Sequence, residues 1–275
     1  PELSGQEYES SARIVQLLRL QGLEVEYPFG GEPTGFRTTI RGGRGEGARL
    51  ALLAEYDALP GIGHGCGHCA SGSISVLSAL ALNDLRHHFA GQVDLIGTPD
   101  EEVGGGKVRM ADQGVFNGYD AAIMMHMFSL NAVATPFLAM DSFRFEFTGR
   151  AAHAAAMPWE GRNALNAVQL LFHASDMMRQ HVKEDVRIHG VVKEGGLAPN
   201  IVPDFGAAEF YVRSRQRAEL SGVSEWLCDC ARAAALAART EGKIISTSPP
   251  LNNLPRNPAG AARLRQATSR EFHGR

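Results

Sequence analysis

A glycine-rich loop over residues 55–68 holds the side chains best suited to metal chemistry. It reads Glu-Tyr-Asp-Ala-Leu-Pro-Gly-Ile-Gly-His-Gly-Cys-Gly-His. Its small residues let the backbone turn tightly, so that the Cys66 thiolate and the His68 imidazole can converge, with Asp57 and His64 close by in sequence. Cysteine sulfur and histidine nitrogen are the ligands that suit zinc and its borderline-soft relatives. The loop therefore predicts a metal site.

A second interpretation of this loop is a structural zinc site or a redox pair, because Cys66 and Cys69 form a C-x-x-C motif. The sequence has no second C-x-x-C, only Cys228-Asp-Cys230 within a predicted helix. A structural zinc protein unfolds when its metal is removed, whereas a metalloenzyme loses turnover and largely keeps its fold. The two interpretations are therefore distinguishable by experiment.

Two further motifs carry ionisable groups. The adjacent carboxylates of Glu101 and Glu102 lie in a glycine-rich segment and repel each other unless a cation or a shared proton compensates, so a metal ligand beside a general base is a natural use. A solvated acidic loop is the alternative. Gly104-Gly-Gly-Lys107 lacks the first glycine and the Ser/Thr of a phosphate-binding loop, which excludes a nucleotide site there. His126, among methionines, is either a core histidine or a third metal-site residue.

The elements that must position these groups alternate as in a doubly wound α/β sheet. Each apolar run of strand length is followed by ionisable residues: Asp57 closes the first, Glu101 and Glu102 follow the second, and His126 closes the third. Ligands of open α/β sheets bind at the carboxyl ends of the strands, so three strands deliver these groups to one edge. The predicted strands are Arg49–Tyr56, Gln92–Gly97 and Ala121–Met125, and the predicted helices are Pro1–Glu24, Gly72–His88 and Lys107–Phe116.

The pattern changes near Met140. The remaining elements follow the order β-α-β-β-α-β, which predicts a ferredoxin-like (α+β) subdomain inserted into the first domain. A Pro/Asn-rich linker and another helix follow it. The predicted elements are strands at Asp141–Thr148, Val186–Val192, Ala207–Val212 and Lys243–Ser248 and helices at Arg162–Val182, Glu219–Arg239 and Ala259–Phe272.

Composition excludes several classes of protein. The 275 residues carry a net charge of −3, so no basic field argues for nucleic acid. The longest apolar stretches are too short to cross a bilayer. Pro1 opens the sequence without a basic leader or an apolar signal core, so no targeting segment is recognised. Four clustered cysteines are too few for a disulfide scaffold, which favours a reduced, cytoplasmic setting.

Taken together, these motifs resemble the M20 family of metal-dependent peptidases and amidohydrolases. The sequence is most similar to the branch with a Cys-Gly-His metal loop, which includes aminobenzoyl-glutamate hydrolase-like and dipeptidase-like M20 domain proteins. Several long motifs occur in the family's order, so the resemblance is specific and covers almost the whole chain. They are the segments at 1–5, 55–68, 101–102, 151–154, 158–165 and 195–203.

The resemblance implies a role for each matching residue. Glu101 would be the general base, and Asp57 would act in the catalytic centre by orienting a metal ligand. His153 matches a histidine that reaches the partner's active site in related dimers, while Asn200 and Arg213 match positions that hold the substrate's carboxylate or carbonyl. One or two divalent ions, zinc or alternatively manganese or cobalt, are implied. The implied metal ligands are Cys66, His68, Glu102 and His126.

The activity implied is hydrolysis of an amide or peptide bond in a small carboxylate-bearing substrate, either a dipeptide or an N-acyl or aminobenzoyl amino acid, by metal-activated water. A homodimer through the lid is implied, with no nucleic-acid or membrane partner. The expected domains are a catalytic metal-binding domain at residues 1–139, a lid and dimerisation domain at 140–248, and the start of a return to the catalytic domain at 249–275.

Two departures from the family pattern define an alternative function. The family's last metal ligand is a histidine near the C-terminus of a longer chain, and His273 has no matching context. Cys69 stands where Asn or Asp usually follows Cys-Gly-His. The sequence is therefore expected to be a fragment lacking both ends, and the alternative is a catalytically inactive, truncated paralogue that acts as a binding or dimerisation protein.

Overall fold

The computed structural model describes residues 1–133, 136–254 and 257–272, with side chains to 267. The chain folds as two compact units, Pro1–Asn131 and Ala132–Arg275. The domain boundaries predicted from the sequence stay predictions, and residues 255–256 and 273–275 of the expected third segment, His273 included, lie outside the described residues.

The first unit is built on a five-stranded mixed sheet in the order β1-β2-β4-β3-β5. Strand β3 runs parallel to β4 and to β5, while β2 is antiparallel to β4. This arrangement confirms the predicted α/β class with a mixed sheet. The elements are α1 (Tyr8–Leu20), β1 (Val25–Glu26), β2 (Phe36–Arg41), β3 (Arg49–Ala54), α2 (His68–Asp84), β4 (Gln92–Gly97), α3 (Gly106–Asp112) and β5 (Ala121–Ile123).

Both faces of this sheet are covered. On one face, Leu18 of α1 and Val76 of α2 pack in a buried cluster with Leu95 of β4. On the other face, Met110 of α3 packs against Ala51 and Ile96. The sequences of the central strands are nearly continuous apolar runs, as expected for strands that are buried on both faces of a sheet. The sheet thus fixes the positions of the strand ends, where the polar groups begin.

The second unit contains a four-stranded antiparallel sheet in the order β7-β8-β6-β9. The element order is β-α-β-β-α-β, which confirms the predicted ferredoxin-like arrangement. The alternating phenylalanines of β6 behave as expected, since Phe145 and Phe147 lie buried in one core with Phe210 of β8. The elements are β6 (Ala139–Thr148), α4 (Ala164–Met178), β7 (Arg187–Glu194), β8 (Phe205–Ser214), α5 (Arg217–Ala238), β9 (Glu241–Ser246) and α6 (Pro258–Phe272).

Several predicted element bounds were wrong. Helix α1 begins at Tyr8 rather than Pro1, because Leu3 forms a parallel β-bridge with Ala58, whose backbone N–H donates to the Glu2 carbonyl. Helix α2 begins at His68, four residues before the predicted start, and α3 ends at Asp112. The sequence interpretation missed β1 and β2. Among the described residues, none of the helices combines the length and apolarity needed to cross a membrane.

Candidate metal centre

Three parallel strands bring their following residues to one edge of the first unit's sheet. Ala54, the last residue of β3, pairs with Gly97, the last residue of β4, and Leu52 pairs with Ile123 at the end of β5. The chain leaves all three strands at nearly the same level. The residues that follow carry the ionisable groups, as ligand sites at the carboxyl ends of parallel strands require.

The glycine-rich loop of residues 55–68, called the metal loop below, ends where α2 starts. Gly67 has a φ of 79°, in the left-handed region that glycine adopts without strain, and His68 is the first residue of α2. A Cβ atom on Gly67 would lie 2.7 Å from the Cβ of Met127. The turn therefore needs glycine for its conformation and for its close approach to the segment that carries His126.

The His68 imidazole is buried and oriented by a carboxylate. Its Nδ1 lies 2.8 Å from Oδ1 of Asp57, so Nδ1 carries the proton and donates it. Its Nε2 is buried and has no hydrogen-bond partner among the described residues. A buried nitrogen without a partner is costly unless something else occupies its lone pair. Contact with Asp57 is what an orienting carboxylate requires.

Asp57 is held on both of its oxygens. Oδ2 accepts hydrogen bonds from the Ser4 hydroxyl at 2.6 Å and from the backbone N–H of Glu102 at 2.9 Å. Burial alone would raise the pKa of Asp57, but the hydrogen bonds from His68, Glu102 and Ser4 lower it to about 2. Asp57 therefore stays ionised at neutral pH and ties the metal loop to the Glu101-Glu102 segment.

Two groups of potential ligand atoms overlap at His68. One consists of Glu55, His68 and His126, and the other of His68, Glu101 and Glu102. From Nε2 of His68, the nearest carboxylate oxygens lie at 3.5 Å (Glu55), 3.8 Å (Glu102) and 3.9 Å (Glu101). The rings of His68 and His126 are 5.4 Å apart. The structure thus brings three predicted site residues, Glu101, Glu102 and His126, around the unpaired nitrogen of a fourth, His68.

The two cysteines of the loop differ in environment. A hydrogen bond to the Glu102 carboxylate, together with burial, raises the pKa of the Cys66 thiol to about 11. Cys69 is exposed on the first turn of α2, and all four cysteines are free thiols. Within the described part of the chain, neither cysteine belongs to the two ligand groups above. Cys66 is therefore linked to the candidate centre by its hydrogen bond to the Glu102 carboxylate.

Glu101 is the most accessible carboxylate of the second group. Its side chain is 37% exposed, against 12% for Glu102 and 1% for Glu55. Burial raises the pKa of Glu101, and the neighbouring Lys107 partly offsets that effect. A carboxylate that is reachable from solvent and has a raised pKa is chemically suited to proton transfer.

The segment that carries Glu101 and Glu102 is fixed by a network of charged residues around the half-exposed Arg109. Asp100 precedes Glu101 with a φ of 57°, and its carboxylate accepts from Arg109 at 2.8 Å. Arg109 also makes a two-pronged ion pair with Glu32, with both contacts at 2.8 Å. Glu7 is fully buried, and its Oε1 accepts the backbone N–H of Asp100. The network holds the strained backbone in place.

We expect Arg109→Ala to lower the free energy of unfolding of the first unit by about 2 kcal/mol, because Glu32 and Asp100 would be left as poorly compensated carboxylates. Both tryptophans lie in the second unit, so tryptophan fluorescence does not report directly on the unfolding of the first unit. Hydrogen exchange of the β4 amides is therefore the suitable measurement. Arg13→Ala removes an exposed pair with Glu9 and is the control, with an expected effect below about 0.5 kcal/mol. Equal effects of the two substitutions would contradict the prediction.

The remaining predicted residues lie in the second unit. Nδ1 of His153 accepts from the backbone N–H groups of Ala155 and Ala156, and His153 forms a β-bridge with Ile201. Asn200 lies in the adjacent segment, where its carbonyl accepts from the N–H of Ala154. The structure thus places His153 and Asn200 in neighbouring segments.

Arg213 lies on β8. Its guanidinium carbon is 5.9 Å from the ring centre of Tyr211, on the same strand. The substrate-binding roles of His153, Asn200 and Arg213 stay predictions.

Sequence reasoning missed two residues of the centre, Glu55 and Lys107. The Glu55 carboxylate is buried, with one oxygen paired to the Lys107 ammonium and the other without a hydrogen-bond partner among the described residues. One signal was available: Glu55 lies two residues before Asp57, so an extended backbone directs both side chains to the same side. Nothing local in the sequence identified Lys107.

The donor set fits a divalent metal. Nδ1 of His68 is used by Asp57, and Nδ1 of His126 lies 2.7 Å from the Met127 carbonyl, to which it can only donate. In the neutral imidazoles, both Nε2 atoms therefore present lone pairs. The unpaired oxygen of Glu55 lies 3.5 Å from one and 3.7 Å from the other. Three converging acceptors without a donor repel one another unless a cation lies between them.

The fold and the candidate centre define an α/β protein with a cluster of potential metal ligands at the carboxyl edge of its sheet. The family model for peptidase family M20/M25/M40 matches residues 51–275. The chain therefore belongs to this family, as the sequence motifs predicted.

Two curated relatives and a solved structure are similar to this chain. Xaa-Arg dipeptidase of Mus musculus is 36% identical over 86% of this chain and 58% of its own length. A component of p-aminobenzoyl-glutamate hydrolase from Escherichia coli (strain K12) is 31% identical over 87% of this chain and 54% of its own length. This chain thus spans little more than half of either relative.

The solved structure is a dinuclear metal-binding M20 peptidase from Bacillus subtilis. It superposes with a TM-score of 0.69 at 24% identity, covering 96% of this chain and 76% of that one. At this identity the likeness shows a shared fold.

Proposed function

We propose that this chain forms the core of a metal-dependent hydrolase that cleaves the amide bond of a dipeptide or of an N-acyl or aminobenzoyl amino acid. The observation that carries the proposal is the buried Nε2 of His68, which has no hydrogen-bond partner among the described residues and lies within 4 Å of three carboxylates in an M20 family member. That arrangement suits a cation and leaves a more exposed carboxylate, Glu101, beside it.

The proposed ligands are those that the resemblance implies. Thiolate and imidazole suit zinc, while the carboxylate content also accommodates manganese or cobalt, and one or two ions are proposed. When bound, a divalent ion polarises the scissile carbonyl and lowers the pKa of a water molecule. The ligand set is Cys66, His68, Glu102 and His126.

The protein's own groups supply proton transfer and orientation. We assign Glu101 to accept the proton of the attacking water on a carboxylate oxygen and to return it to the nitrogen of the leaving amine. Its exposure and its raised pKa support this assignment. Asp57 keeps the proton of His68 on Nδ1, so that Nε2 remains free to act as a ligand.

The names of the two relatives support the substrate class. An Xaa-Arg dipeptide and p-aminobenzoyl-glutamate both carry an amino acid with a free α-carboxylate on the amine side of the bond. We assign recognition of this carboxylate and of the carbonyl to His153, Asn200 and Arg213, since guanidinium and amide groups donate to such oxygens. A homodimer through the second unit and a cytoplasmic setting, in which the free cysteines stay reduced, belong to the same proposal.

The direct test combines metal analysis with a hydrolysis assay. We expect the purified chain to contain a divalent metal and to hydrolyse members of a panel of Xaa-Arg dipeptides, N-acyl amino acids and p-aminobenzoyl-glutamate. Chelation should abolish turnover, and reloading should restore it. Cys66→Ser should lose metal, whereas Cys69→Ser, on the exposed neighbour, should keep it.

Two results would contradict the proposal. Bound metal without turnover on any member of the panel favours a binding protein. Loss of metal in both cysteine variants, together with unfolding on chelation, favours a structural zinc site.

A further inference from the structure

Glu55 lies at the metal centre, yet the ligand set proposed above does not use it. It is the first residue after β3, and its side chain is 1% exposed. Its Oε1 pairs with the Lys107 ammonium, and its Oε2 is buried without a hydrogen-bond partner among the described residues. A buried carboxylate oxygen without a partner is costly, so its retention needs a reason.

The surroundings of Oε2 provide that reason. The atom faces Nε2 of His68 at 3.5 Å and Nε2 of His126 at 3.7 Å. Both imidazoles use Nδ1 as a donor elsewhere, to Asp57 and to the Met127 carbonyl. Oε2 therefore closes a triangle of acceptors, and two nitrogens and one carboxylate oxygen form a suitable ligand set for a first-row divalent ion.

Lys107 restricts how Glu55 can act. Its ammonium occupies Oε1, so only Oε2 is free to bind. Lys107 lies on the first turn of α3, which begins at Gly106. A Cβ atom on Gly106 would lie 2.0 Å from the Pro99 carbonyl oxygen, so the helix start packs directly against that residue. This close packing fixes the start of α3 against the end of the β4 segment. The ammonium thus approaches Glu55 from a defined direction.

We propose that Glu55 supplies one further carboxylate oxygen, through Oε2, to a metal ion bound by His68 and His126, and that Lys107 is the positioning residue that holds it in this one-oxygen mode. The inference rests on the proposed metal-dependent function and adds a ligand to it. It concerns the bound ion and its coordination, so metal binding tests it without an activity assay.

The test uses Glu55→Gln, which keeps the shape of the side chain and removes its charge. Titration calorimetry with Zn²⁺ should show about 10- to 100-fold weaker binding of one ion, and the visible absorption of the Co²⁺-loaded chain should change. Asp94→Asn is the matched control, because Asp94 is also buried but has both oxygens hydrogen-bonded, to Gln92 and Tyr119. The Asp94→Asn variant should bind Zn²⁺ and Co²⁺ with the affinity of the wild type.

Two further variants keep the proposal falsifiable. The double variant Glu55→Gln/Lys107→Met leaves no unpaired charge, so it guards against misfolding of the single variant and should show the same loss. Lys107→Met alone should keep the number of ions but change the Co²⁺ spectrum, because Glu55 is no longer held through Oε1. An unchanged spectrum would overturn the positioning role.

The outcomes separate this inference from the proposed function. If the wild type binds metal and Glu55→Gln binds it with the same affinity, stoichiometry and Co²⁺ spectrum, the added ligand is wrong while the metal-dependent function stands. If the wild type binds none of Zn²⁺, Co²⁺ and Mn²⁺, both proposals fail.

Discussion

Glu101→Gln is expected to lower kcat by about 10²- to 10⁴-fold while the chain keeps its metal. The amide has the shape of the carboxylate but cannot accept a proton at neutral pH. Glu101 is more exposed than Glu102 or Glu55, and burial still raises its pKa, so it is the carboxylate best placed to exchange a proton with a water molecule. Steady-state kinetics and elemental analysis of the same preparation check the result.

The adjacent residue provides the matched control for this substitution. Glu102→Gln makes the same chemical change one position further, on a side chain that is 12% exposed and lies 3.8 Å from Nε2 of His68. As a proposed ligand, it should lose metal and activity together. If Glu101→Gln also loses metal, or if its kcat stays within about tenfold of the wild type, the assignment of the general base is wrong.

The parts of the fold that were predictable are those with local signals. The apolar runs of β3 and β4 are bounded by polar residues, and the phenylalanines of β6 alternate, so period and length identify these strands. Strand β2 lacks such a signal because Phe36 and Ile40 are separated by Arg37, Thr38 and Thr39. Thr38 is nevertheless buried, and the hydrogen bond from its hydroxyl to the Glu24 carbonyl satisfies this polar group. That contact depends on tertiary structure.

The candidate site divides in the same way. Cys66 and His68 lie in one short loop, and their residue types indicate metal chemistry directly. Glu55 lies within a run interpreted as a strand that extends to Tyr56, whereas β3 ends at Ala54. Its partner Lys107 is 52 residues away in sequence. A pair that forms only when the end of β3 meets the start of α3 leaves no local pattern, so only the folded chain reveals it.

Asp57→Asn is expected to weaken metal binding by about 10- to 100-fold, because an asparagine cannot satisfy the three donors that converge on this carboxylate. His68 donates to Oδ1, while the Ser4 hydroxyl and the Glu102 N–H donate to Oδ2. If the amide NH₂ faces His68, the proton must move to Nε2 and block the proposed ligand atom. If it faces Glu102, two N–H donors oppose each other. Either orientation disturbs the centre.

The low pKa of Asp57 fixes the pH range of its effects. Its pKa is about 2 in the folded chain, below the usual 3.8, so its stabilising contribution is fully present above about pH 4 and is lost as the pH falls towards 2. In the metal-free chain this contribution is about 2 kcal/mol. Asp57→Asn should therefore flatten the loss of stability between about pH 4 and pH 2, as followed by circular dichroism.

The affinity loss of Asp57→Asn is measured at pH 8, where the wild-type carboxylate is ionised. Calorimetric titration with Zn²⁺ at that pH gives it. Asp120→Asn is the control. Asp120 accepts the backbone N–H of Arg49 at the opposite end of β3, so removing the Asp120 charge should leave metal binding unchanged. Wild-type affinity in Asp57→Asn would show that His68 does not need this carboxylate to present Nε2. The link between the strand end and the metal loop would then be structural only.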